Sequence, residues 1–482
     1  MRRHLTAVLL GAAFSSWAAP NATLTPCRIS GVETEALCGS VKRPLDPAAP
    51  AGTSIDVYYA VLPALARNKH PDPVFFFAGG PGQSAIEVAG SVTRLLARVS
   101  NRRDIVLVDQ RGTGRSAPLR CPNLAPTTPL RESADSAHQE RRLAECREAL
   151  GKLPHGDLRH YTTTVAMGDI DAVRVALGAE RINLVGASYG TRAALEYMRQ
   201  FPAQLRRVVI DGVAPPDMTL PAAFSVDNQA ALEAALRACE ADAACRARYP
   251  QLRASWAAML AALPREVVLK HPVTGASEAV RMTRDMVLGM VRQPLYVPAL
   301  AAALPLAIGE AAQGRFDALM ALGMSLATGR HPPAAGMHMS VVCAEDLPRL
   351  PLRTEAPGAD FGDSFSSFYQ RACADWPRGA VPAAFYTVPL TTAATLVLSG
   401  GADPATPTRH GERVAKALGA KARHVVVPHA GHGVMGIGCM RDVMFRFIDA
   451  ATDEAALAVD AACATSIPRP PVFLLPQSGG AR

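Results

Sequence analysis

Beyond its N-terminus this 482-residue chain has no run of ~18 uninterrupted apolar residues, so nothing there suggests a membrane-spanning helix. It has no repeat and no low-complexity segment, which argues against a solenoid or a disordered tail protein. Its basic residues are not gathered into runs. The formal charge of +8 comes largely from scattered arginines, which read as solvated surface and not as a nucleic-acid face. None of the ten cysteines sits in a CxxC arrangement, so zinc binding and thioredoxin-type chemistry are not indicated. No glycine-rich loop is followed by Gly-Lys-Ser/Thr, and none opens a dinucleotide-binding helix. No motif implies a metal or an organic cofactor.

What is present is a large apolar fraction, 49% of residues. That is ample for one large domain with an inserted or appended subdomain. Arg2 and Arg3 precede a short apolar stretch from Leu5 to Phe14, and small residues follow at Ser16 and Ala18. This is the pattern of a cleaved export signal over 1–18. The cysteines fall in close twos along the chain. Together with an export signal, five disulfides between sequence neighbours are the simplest expectation, in the periplasm or outside the cell.

Strand-like runs are predicted at 54–62, 74–77, 104–108, 182–185 and 208–210, with helices at 164–177 and 189–200. The alternation implies an α/β fold, with a mostly parallel sheet covered by helices on both faces. From 215 to 381 the sequence turns rich in alanine, leucine and methionine, and a mainly helical cap is expected. Alternation returns with strands at 395–398 and 424–427 and helices at 408–418 and from 440. The expected organisation is a core at 19–214 and 382–466, the cap at 215–381, and a loosely held tail at 467–482.

The chemistry-bearing pattern is Gly186-Ala187-Ser188-Tyr189-Gly190, between a predicted strand and a predicted helix. A G-x-S-x-G turn in that setting is a nucleophile elbow. It strains the serine, lifts its hydroxyl to a helix N-terminus, and needs small residues where strand and helix pass closely. Ser188 is the candidate nucleophile. A base and an orienting acid should follow along the chain in the order acid, then histidine. Asp403, just past the strand at 395–398, and His432, between Gly431 and Gly433, are the candidates. His429 and Asp211 are their rivals. The second strand ends in Ala78-Gly79-Gly80-Pro81-Gly82, a loop suited to presenting a backbone N–H to an oxyanion. Gly80, then Gly79, is expected to supply one donor and Tyr189 the other. Asp109-Gln110-Arg111-Gly112-Thr113-Gly114-Arg115-Ser116 reads as a structural loop beside the site, with Asp109 and Arg111 tying loops together.

These three motifs resemble the prolyl iminopeptidase family of α/β hydrolases, and within it the secreted tripeptidyl-aminopeptidase branch, whose C-terminal segment is similar to 396–463 here. One departure stands at Ala78, where relatives often carry His. The resemblance implies removal of residues from peptides with a free N-terminus through an acyl-enzyme. It also implies an anion for the substrate ammonium. Glu345, with Asp346, in Met339-Ser340-Val341-Val342-Cys343-Ala344-Glu345-Asp346 looks like the family's acidic motif, anchored by Cys343 to Cys373. An esterase or small-molecule amidase would use the same triad. A binding protein that has lost catalysis would not need the whole set.

Overall fold

A computed structural model describes residues 23–326 and 332–474. The predicted export signal lies outside the described residues, as does the end of the tail. Among these residues nine strands form one sheet: β1 (Thr25–Cys27), β2 (Ala36–Pro44), β3 (Ser54–Leu62), β4 (Val74–Phe77), β5 (Ile105–Val108), β6 (Ile182–Ala187), β7 (Leu205–Asp211), and two later strands, Ala394–Gly400 and Ala422–Val427. Between β7 and those two the chain makes a separate antiparallel hairpin, β8 (Arg265–Lys270) and β9 (Ser277–Met282). The last sheet strands are therefore β10 and β11. The order across the sheet is β1-β2-β3-β5-β4-β6-β7-β10-β11. From β5 to β11 neighbouring strands are parallel, while β1, β2 and β3 form an antiparallel edge ending on β5. This is the α/β-hydrolase architecture that the strand–helix alternation implies.

The short central strands are apolar throughout because both faces are covered. In β4, Phe75 and Phe77 enter one buried cluster and Val74 and Phe76 enter the other. The first cluster is completed by the helices Thr163–Ala176, Tyr189–Gln200 and Thr408–Leu418, the second by Ala89–Leu95 and Met440–Asp449.

Two elements depart from the expectation. β1 and β2 were not anticipated, because only Ala36 of β2 is fully buried and Gly39, Lys42, Arg43 and Pro44 interrupt any alternation. Among the described residues of 215–381 the regular elements are helical apart from the β8–β9 hairpin. That hairpin turns Val267, Leu269, Val280 and Met282 into a third cluster with the helices Leu220–Ala241, Leu252–Ala261, Arg284–Leu295 and Leu304–Ala312.

The cysteines pair as sequence neighbours: Cys27–Cys38, Cys121–Cys146, Cys239–Cys245, Cys343–Cys373 and Cys439–Cys463. No described helix is long and apolar enough to cross a membrane.

Candidate active site

Strand register decides what meets at the carboxyl edge of the sheet. Phe77 of β4 lies opposite Gly186 of β6, and Ala187 lies opposite Asp211 of β7. The loop after β4, the turn after β6 and the end of β7 therefore emerge side by side. β10 and β11 continue the row, with Gly400 opposite Val427. Ligands of parallel sheets gather at this edge.

Ser188 has φ 56° and ψ −124°, and is one of two described non-glycine residues with positive φ. It stands at the N-cap of the helix Tyr189–Gln200. The flanking glycines are required by backbone, not by flexibility. A Cβ on Gly186 would lie 2.5 Å from the Gly190 carbonyl oxygen, and one on Gly190 would lie 2.1 Å from that of Phe77. A Cβ on Gly79 would lie 3.2 Å from the Ser188 Cβ, so the loop after β4 abuts the elbow. The Gly79 N–H donates to the Gln83 side chain at 3.2 Å. Gly80, at φ 113°, has no such partner among the described residues. Tyr189 opens its helix, and its N–H has no intrahelical acceptor. Gly80 and Tyr189 are thus the free donors beside Ser188.

His432 follows β11 on the loop that Gly433 turns at φ 90°. Its Nδ1 lies 2.8 Å from Asp403 Oδ2. The Asp403 carboxylate is buried and held from several sides. Oδ1 accepts from the Ala405 and Thr406 N–H groups at 2.8 and 2.9 Å, and Oδ2 accepts from the Thr406 hydroxyl at 2.9 Å. Burial acts to raise the Asp403 pKa, but His432 and these donors outweigh it and hold it low. Burial likewise acts to lower the His432 pKa. The Asp403 charge and hydrogen bond, with Asp211, win and raise it. An acceptor-locked Nδ1 leaves Nε2 as the nitrogen able to take a proton. The rival His429 is exposed and lines a different depression, with Ala402, Pro298 and Arg469.

The rival acid Asp211 is engaged elsewhere. Its Oδ2 accepts from Val434 and Met435 N–H at 2.7 and 2.8 Å, which pins the chain just after His432. Burial raises its pKa to about 6.

Ser188, His432, Gly80 and Tyr189 line one cavity of about 380 Å³. Gln83, Arg192, Asp211, Met218, Leu220, Phe224, Tyr296 and Thr406 are also on its wall. Of these only Asp211 was singled out in the sequence, and three of the others act on the site. Thr406 braces the acid. Arg192, one helical turn after Ser188, offered a periodicity signal. Tyr296 offered none. It belongs to the helical segment 215–381, and its carbonyl accepts the His432 N–H at 3.0 Å while its ring meets the imidazole edge-to-face at 5.2 Å.

Glu345 and Asp346 are not brought to this wall. Glu345 Oε1 and Oε2 accept from the Thr163 N–H and hydroxyl at 2.6 and 3.0 Å. Asp346 takes Arg192 Nη1 and Nη2 at 3.1 Å and the Leu220 N–H at 3.1 Å. The pair therefore sits behind Arg192 and fixes it. Direct contact of these two carboxylates with a substrate ammonium is not what the geometry offers. The sequence located the acidic motif but could not tell which way it faces. Burial lifts Glu345 to a pKa of about 7 against the pull of Arg192 and Thr163.

The glycine-rich segment after β5 is a brace. Asp109 accepts from the Ser84 hydroxyl and the Ile86 and Arg115 N–H groups. Arg111 is fully buried, donates to Asp169 at 2.6 and 2.9 Å, and reaches the Pro44, Leu45 and His160 carbonyls.

Residues 72–436 match the alpha/beta hydrolase fold family. The chain belongs to that family. It is similar to the serine protease Hip1 of Mycobacterium tuberculosis, 27% identical over 440 residues, covering 82% of each chain. It is similar to the tripeptidyl aminopeptidase of Streptomyces lividans, 32% identical over 194 residues, covering 37% of this chain and 35% of that one. A carboxylesterase B of M. tuberculosis is 28% identical over 445 residues, covering 83% of this chain and 82% of that one.

Proposed function

We propose that this protein is an exported serine aminopeptidase that hydrolyses peptide bonds near free N-termini through an acyl-enzyme. The observation that carries the reading is the meeting of Ser188, the His432–Asp403 pair and the free Gly80 and Tyr189 N–H groups on one cavity. In this reading His432 Nε2 takes the Ser188 proton as the hydroxyl attacks the carbonyl. Asp403 holds the imidazole tautomer and favours the cation. Gly80 and Tyr189 N–H donate to the oxyanion, His432 protonates the leaving amine, and water repeats the cycle. The segment 215–381 serves as the cap over this centre. A cavity of about 380 Å³ suits a chain end better than the middle of a folded protein. The five disulfides suit an oxidising compartment, and the peptidase names of two relatives support the substrate class.

An esterase reading is favoured by one observation, the similarity to carboxylesterase B over most of the chain. One assay separates the two. Purified protein, with Ser188→Ala as blank, is offered short peptide amides with free and with acetylated N-termini, beside a simple ester. Cleavage of the free peptides alone establishes the aminopeptidase. Cleavage of the ester alone, or of both peptide forms equally, replaces it.

A further inference from the structure

The helix Arg284–Leu295 runs toward the cavity and ends one residue before Tyr296, whose ring rests on His432. Arg292 is one turn back on the same face. Its guanidinium lies 5.3 Å from the Phe224 ring, 5.3 Å from Phe365 and 6.0 Å from Tyr296. Phe224 and Tyr296 are on the cavity wall. Three rings from three separate parts of the helical segment thus hold one half-buried cation in place. What it lacks is a counter-ion. Among the described residues no carboxylate and no carbonyl accepts from Arg292.

Arg292 stands just behind the wall residues Phe224 and Tyr296, and its lack of a counter-ion contrasts with Arg192, the arginine on the wall itself. Arg192 is paired with Asp346. The groups near Arg292 do not neutralise it either. Tyr296 and Tyr369 are held in their neutral form by burial. His338 has its pKa lowered to about 4, chiefly by burial and in small part by Arg292 itself. A planar guanidinium with its N–H edge unused, beside a wall of neutral side chains, is built for a carboxylate arriving from outside.

We propose that Arg292 binds a carboxylate of the substrate, so that the preferred substrates are acidic or short peptides. This rests on the peptidase reading for the word peptide, though not for the carboxylate. The guanidinium is 6.0 Å from the Tyr296 ring, which is 5.2 Å from the imidazole, so it lies within about 11 Å of the base. At roughly 3.3–3.6 Å per extended residue, that is at most about three residues from the base. Two sources present a carboxylate at such a distance: an Asp or Glu side chain, and the C-terminus of a peptide a few residues long.

The experiment compares kcat/KM for tetrapeptides that are neutral and amidated, neutral with a free C-terminus, and amidated with Glu replacing Gln at one position at a time. The wild type should prefer one carboxylate-bearing form by about tenfold or more, mostly through KM. A preference set by the free C-terminus names the terminal source, and one set by Glu names the side chain. Raising the salt concentration should shrink the ratio without any mutation. Arg292→Gln should bring the ratio to about one, and Arg292→Lys should keep part of it. An undiminished preference in Arg292→Gln, or no preference in the wild type, overturns the proposal. If no peptide is cleaved, the peptidase reading falls. The carboxylate site is then decided by the 4-nitrophenyl monoesters of octanedioate and octanoate, whose chain is long enough to reach it, where equal hydrolysis overturns it.

Discussion

At the scale of single residues, the site is a set of groups whose protons are placed by their neighbours. Ser188→Ala removes the proposed nucleophile and should lower kcat by three orders of magnitude or more, with the fold intact by circular dichroism. In the proposed mechanism the base, His432, sets the pH profile. A raised His432 pKa keeps the imidazole protonated, and idle, to a pH above its ordinary 6.5. The rate should therefore climb with pH through a limb above 6.5. Asp403→Asn takes away the charge that raises it. The limb should move to lower pH while the plateau falls by about 10⁴. A limb that stays in place in that variant would remove Asp403 from its role. Arg111 acts on stability. Replacing it by Met strands Asp169 and three carbonyl groups in the interior, with Arg43 left as a partial partner at 3.1 Å. A loss of about 3 kcal/mol in urea unfolding is expected, with little change in kcat for the molecules that remain folded.

At the scale of elements, the parts that were legible in the sequence are the parts that are local. The elbow was readable because its glycines, its strand and its helix lie within 25 residues of one another. The Cβ contacts give the reason for the spacing. Gly190→Ala must push a strand and a helix apart at the Phe77 carbonyl. Loss of activity together with several kcal/mol of stability is expected, which separates it from Ser188→Ala, where only activity goes. Asp403 and His432 were readable because each follows a recognisable strand. Tyr296 was not, since its contact with His432 joins residues 136 apart in sequence and no local pattern reports it. The facing of Glu345 and Asp346 was hidden for the same reason. It depends on Thr163 and Arg192, on two other helices. β8 and β9 were passed over because six-residue strands with two inward side chains each are a faint signal inside a helical stretch.

At the scale of the whole molecule, two apolar clusters sandwich one sheet, and a third is built from the helices and hairpin that follow β7. The five disulfides each tie a short stretch within one region. The pairs have sequence separations of 11, 25, 6, 30 and 24. None spans another: the second cysteine of each pair precedes the first of the next. Ten cysteines allow on the order of a thousand pairings. In this chain, the native one is also the order of arrival. If the polypeptide is exported into an oxidant, as proposed, each new thiol at an even count finds one unpaired predecessor, and joining the two writes the correct bond. Proofreading is then superfluous. Folding yield should depend on a dithiol oxidase and be indifferent to a disulfide isomerase, and the correct bonds should form in sequence from the N-terminus before the sheet is complete.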